Sequence, residues 1–150
     1  MACNGNSRSY QKSCVRYFNN SPQALAANAA TVLTLAGAKV VNSGESIQVE
    51  PQSYDTVKIG LYHLVADAVI TSSAAGELTL QWYMDGVALP CTLRKVTLPA
   101  TGNTEIHTEM ELALPGCCCC VNHTFTLIAT TDSTAAGNVV ELCTGLLKLA

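Results

Sequence analysis

His63 and Asp67 stand four residues apart in the run VKIGLYHLVADAVITS, and a strand would place both on one face, because its side chains alternate with period two. A histidine beside a carboxylate is the pairing of a general base or of part of a metal site. His107 lies among Glu105, Glu109 and Glu111 in TEIHTEMEL, a face that could bind a cation where several copies met on a three-fold axis. In both cases an exposed or interfacial polar face is the simpler reading. The eight cysteines are Cys3, Cys14, Cys91, Cys117, Cys118, Cys119, Cys120 and Cys143. Four adjacent cysteines cannot converge on one ion in an extended strand, since successive side chains point to opposite faces. Reduced thiols packed as small apolar groups are expected, with oxidation between subunits through Cys3 or Cys14 as the lesser alternative.

His107-x-Glu109, Pro115 and Cys117-x-x-Cys120 imitate the H-x-E…P-C-x-x-C signature of zinc deaminases. The two halves are too close, the proline is one place early, and the surrounding pattern is that of strands. No Gly-x-Ser-x-Gly elbow, P-loop or dinucleotide fingerprint occurs. The sequence therefore gives no catalytic residue, no metal site and no cofactor. Asn19-Asn20-Ser21 and Asn122-His123-Thr124 match the glycosylation triplet, which has no meaning without export. Trp82 reads as a core anchor, because its neighbours in phase are Leu80 and Met84.

What positions these residues follows from composition. A chain of 150 residues fits one domain. Only 13% of it is charged and 49% is apolar, with aromatic residues at 5%. That is too little charge to clothe a lone monomer, so close contact between subunits is expected. Coiled coils, collagen and polar disorder are excluded. No apolar run is long enough to cross a bilayer, and MACNGNSRSYQKSCVRY lacks the apolar core of a signal peptide, so a soluble protein made without export is expected.

The formal charge of −3 is unevenly spread. Residues 1–44 carry Arg8, Lys12, Arg16 and Lys39 and no acid, whereas residues 45–150 hold all eleven acids against four bases. A basic arm on an acidic body is the natural interpretation. We expect residues 1–30 to form an N-terminal arm and linker and residues 31–150 the folded domain, with Arg8, Lys12 and Arg16 binding an acidic protein surface. Three bases without an RNA-binding signature are weak grounds for nucleic-acid binding. Ser21-Pro22 could cap a helix over QALAANAA, but eight residues cannot hold one without packing support.

From Thr31 the chain becomes short apolar alternations broken by Gly, Pro, Asn and Ser: TVLTLA, AKVVN, SIQVE and the run around His63. Leu78, Leu80, Trp82 and Met84 face one way and Thr79, Gln81 and Tyr83 the other, and Asp85-Gly86 supplies a hairpin turn. Ile106, Thr108, Met110 and Leu112 alternate with Glu105, His107, Glu109 and Glu111. With VNHTFTLIAT and NVVELCTGLLKL, about eight to ten strands follow Thr31, and loops are expected at residues 100–104 and 130–138. An all-β antiparallel sandwich results.

Gly60-Leu61-Tyr62-His63-Leu64-Val65-Ala66-Asp67-Ala68-Val69 resembles the G-x-Y-x-apolar strand of the C1q and tumour-necrosis-factor-like jelly rolls. Leu78 to Gly86 resembles their next strand and its Asp-Gly turn, and His123 to Thr130 with Val139 to Leu149 their closing pair. The likeness spans residues 57–149. It implies a jelly roll assembled as a homotrimer, to which the composition adds the extended N-terminal arm, and Tyr62, Leu64, Trp82 and Phe125 are expected in the core or in the contact between copies. There is no collagen-like stalk and no export signal, which counts against a secreted role. Small unexported proteins of this shape with a basic arm also resemble bacteriophage capsid decoration and head-fibre proteins. That likeness implies a non-enzymatic virion protein, assembled in the host cytoplasm and held through its arm to the major capsid protein or another virion protein, with no membrane partner. A receptor- or carbohydrate-binding module at a fibre tip or on a spore coat is the alternative.

Overall fold

The computed structural model describes residues 13–35, 37–43, 47–56, 59–114, 122–132 and 137–150. Its strands are β1 (Cys14–Asn19), β2 (Gln23–Ala24), β3 (Ala30–Val32), β4 (Ala38–Ser43), β5 (Ile47–Glu50), β6 (Ser53–Thr56) and β7 (Gly60–Ser72). They continue as β8 (Gly76–Met84), β9 (Val87–Ala88), β10 (Arg94–Leu98), β11 (Gly102–Leu114), β12 (His123–Thr131) and β13 (Asn138–Lys148), with a 3-10 turn at Pro90–Thr92. One sheet has the order β11-β7-β13-β1-β4, with β2 added to β13; the other has β10-β8-β12-β6-β5, with β3 on β12 and β9 on β8. All pairings are antiparallel, and the later long strands alternate between sheets, β7 to β8 and β11 to β12 to β13. This is the jelly-roll sandwich that the alternation predicts.

The period-two pattern decides the core. Tyr62, Leu64, Ala66, Ala68 and Ile70 of β7 point between the sheets and meet Leu78, Leu80 and Trp82 of β8 and Phe125, Leu127 and Ala129 of β12, all buried. Tyr17, Tyr54 and Trp82 form a chain of tilted rings with centroids 6.4 and 6.2 Å apart. The Tyr54 hydroxyl reaches across the sandwich to Thr144. Thr92 bonds the backbone N–H of Trp82 at 3.0 Å, which ties the 3-10 turn to β8.

The boundary expected between arm and domain moves. Residues 14–19, assigned by composition to the arm, form β1, which lies between β13 and β4 within the first sheet. The reason is alternation hidden by charge: Val15, Tyr17 and Asn19 point inward while Arg16 points out. No helix forms over QALAANAA. Gln23 instead exchanges two hydrogen bonds with Thr34, donating to its carbonyl at 2.9 Å and accepting from its N–H, and Leu25 is buried. Of TVLTLA, only Thr31 and Val32 join a ladder, in β3, and beyond them Leu33 and Leu35 donate to the carbonyls of Leu127 and Pro51. Two expected loops shrink as well. Residues 102–104 open β11, paired with Ser72 to Ile70, and Thr130 and Thr131 finish β12.

Candidate functional site

Tyr62, Leu64, Trp82 and Phe125 are fully buried within one chain, in the cluster between the sheets. Arg16 is exposed on the outward face of β1. Arg8 and Lys12 lie outside the described residues, as do Cys3 and Cys117 to Cys120. Cys14 and Cys143 are half-buried and Cys91 is exposed, all three as free thiols.

The chemistry-bearing side chains gather on the outward face of the first sheet. Register fixes the rows. Glu111, His63, Leu147 and Cys14 lie across β11, β7, β13 and β1; Glu109, Val65, Gly145 and Arg16 follow; then His107, Asp67, Cys143 and Phe18. A last row sets Val69 between Glu105 and Glu141. His63 and Asp67 do share this face, but they do not pair with each other. Asp67 takes the Nδ1 of His107 at 2.5 Å, while His63 reaches Glu109 at 3.4 Å and Glu111 at 3.8 Å. Adjacent strands bring cross-strand partners closer than a step of four along one strand does, which explains the exchange.

This arrangement does not assemble a nucleophile. Asp67 lies between His107 and Cys143 in its row, so thiol and imidazole are two strand spacings apart, about 9–10 Å, where a Cys-His pair needs a hydrogen bond. Among the described residues no group of three or more His, Cys, Asp or Glu side chains is placed to hold a metal ion. The face instead offers a groove of about 480 Å³, floored by Val69 and Phe18 and flanked by Glu105, Glu141, His107 and Cys143. Phe18 and Glu141 were not singled out in the sequence, Cys143 appeared there only as one of the thiols, and Val69 only as the end of the motif run. The signal was present in β7, whose outward phase holds Val65 and Val69 between and beyond His63 and Asp67 where a wet face would hold polar residues.

The outward face of the second sheet is different. Thr79, Gln81 and Tyr83 of β8 lie opposite Thr130, Ile128 and Thr126 of β12, and Lys95 of β10 pairs with Glu77 at 3.0 Å. Hydroxyls and a paired charge make most of this face polar, with Val32 exposed beside Ile128. At its end His123 donates or accepts at Nδ1 against Asp85, 2.7 Å away in the β8–β9 turn. Burial works to raise the Asp85 carboxyl. The hydrogen bonds from His123 and the Thr124 N–H outweigh it and hold the carboxyl below its ordinary value.

No protein-family model matches the chain, and no curated protein matches it in sequence. Solved structures do match in shape. Murine APRIL superposes with a TM-score of 0.62 at 12% identity, over 93% of this chain and 100% of that one. The globular domain of zebrafish complement 1qA gives 0.55 at 12%, over 89% and 94%. PRD1 vertex protein P5 gives 0.56 at 19%, over 94% and 98%. With the strand order above, these likenesses establish that the chain folds as a C1q/TNF-like jelly roll.

Proposed function

We propose that the chain is a non-enzymatic structural protein of a virus particle, a homotrimeric capsid decoration or head-fibre component of a bacteriophage, anchored by its N-terminal segment to the major capsid protein. The observation that carries this reading is the contrast between the two outward faces. The first sheet sets half-buried Phe18 and Val69, exposed Leu61 and two half-buried thiols beside carboxylates, a surface that a second copy would cover, whereas the centre of the second sheet presents threonines and its exposed apolar residues, Val32 and Val87, lie on the short added strands β3 and β9. A shared fold with PRD1 vertex protein P5 supports a place on a particle. The anchor is shorter than composition suggests, residues 1–12, with Arg8 and Lys12 and no acid. Three such arms on one trimer would add into a durable attachment.

The test is made on particles of the virus that encodes the chain. Deleting residues 1–12 is expected to leave a folded trimer that no longer co-sediments with capsids. Full attachment without them would overturn the anchoring role, and purified particles lacking the chain would overturn the virion assignment.

A receptor- or carbohydrate-binding role has one observation in its favour, a shallow cavity of about 320 Å³ on the second sheet whose lining residues include Thr79, Thr130 and Lys95. It predicts that a polyhydroxylated ligand raises the melting temperature and that Thr79→Val with Thr130→Val abolishes the rise.

A further inference from the structure

The groove on the first sheet is chemically specific. Its floor residue, Val69, is opposite Glu105 on one side and Glu141 on the other. Asp67 in the next row is held by His107, but neither Glu105 nor Glu141 takes part in an ion pair among the described residues. An apolar floor between two uncompensated carboxylates fits a leucine-like side chain next to a cation.

The same chain presents that combination elsewhere. Leu93, at the end of the 3-10 turn, is 46% exposed. Arg94 beside it begins β10, the outermost strand of the second sheet, and among the described residues its guanidinium donates to the carbonyls of Cys91 at 3.2 Å and Leu93 at 2.9 Å. Of the described cations on the second sheet, Lys95 is already committed to Glu77, which leaves Arg94 without a carboxylate among the described residues. Arg16, Lys39 and Lys148 belong to the groove's own sheet. A contact in which one patch meets a different patch on the next copy is heterologous, and repeated around a three-fold axis it closes.

We propose that the Leu93–Arg94 corner of one copy seats in the Val69 groove of the next, with Leu93 on Val69 and Phe18 and Arg94 between Glu105 and Glu141. This rests on the homotrimer proposed above and specifies its contact. Burial of the leucine supplies the apolar part, and the arginine compensates two carboxylates that would otherwise repel across the row.

Charge reversal tests it by sedimentation of the full chain over a range of concentrations. Arg94→Glu is expected to raise the trimer dissociation constant about tenfold or more, and Glu105→Arg with Glu141→Arg to do the same. The three substitutions combined are expected to recover most of the loss. Leu93→Ser removes the apolar half without altering charge and is expected to weaken the trimer as well, which keeps the test decisive if a reversed charge impairs folding. A wild-type trimer unmoved by Arg94→Glu and Leu93→Ser, or a triple variant no better than either reversal, overturns this contact and leaves the trimer standing. A wild-type monomer overturns both.

Discussion

Asp85 turns the chain with φ of 53° and Gly86 follows at 79°, the left-handed pair that a two-residue hairpin demands and that Asp and Gly tolerate. The carboxylate then accepts from the Thr124 N–H at 2.8 Å and meets His123 at 2.7 Å, so one side chain fastens β8 to β12. Asp85→Ala is expected to cost about 1–2 kcal/mol in denaturant unfolding. A carboxyl held below its ordinary value contributes stability above its unfolded pKa, about 3.9, and loses it as pH falls through the folded value. The wild type should therefore lose stability below about pH 4 more steeply than the Asp85→Ala variant. Burial pushes the Tyr62 phenol up to about 12. Its contribution is complete below about pH 10 and disappears as pH rises from there through about 12, so ionisation of Tyr62 should coincide with alkaline unfolding, and a Tyr62 that ionises near pH 10 in a still folded protein would refute this. The turn at Asp85 was legible because Asp-Gly is local chemistry. The His123 bond was not, since its partner lies 38 residues away and only strand pairing brings it close.

At the scale of elements, β8 and β11 were readable because their inward positions are nearly all apolar. β1 was not, because Arg16 and the polar residues around it masked the inward Val15 and Tyr17. The consequence is measurable. Removing residues 1–12 should leave the unfolding transition almost unchanged, whereas removing residues 1–20 strips a strand bonded to both β13 and β4 and should abolish the cooperative transition. Gly60 shows how a motif residue acts at this scale. It starts β7 with φ of 156°, and a Cβ there would stand 2.3 Å from the Ala150 carbonyl oxygen and 2.8 Å from Lys148 Cε. Gly60→Ala is expected to destabilise the domain by about 1–3 kcal/mol in denaturant unfolding, by forcing the end of β13 away from β7. The opening of β11 was hidden for the opposite reason. Gly102, Asn103 and Thr104 are turn-like in composition, yet they pair with β7 and Thr71 donates to Asn103 at 2.8 Å.

The whole molecule is a sandwich with two unlike outer surfaces, and that inequality is the basis of the functional account. Low charge and high apolar content already implied a covered flank, and the jelly-roll likeness implied three copies. Neither identified the flank, because outward Val69, Phe18, Glu141 and Cys143 come from three strands and form one surface only after β7, β13 and β1 align. The particle assignment depends on that surface being covered by sister chains. Mass in solution, by light scattering or sedimentation equilibrium at micromolar concentration with a reductant present, addresses it most directly. The account predicts a species of three 15.8 kDa chains at neutral pH, and a stable single chain across that concentration range would contradict it.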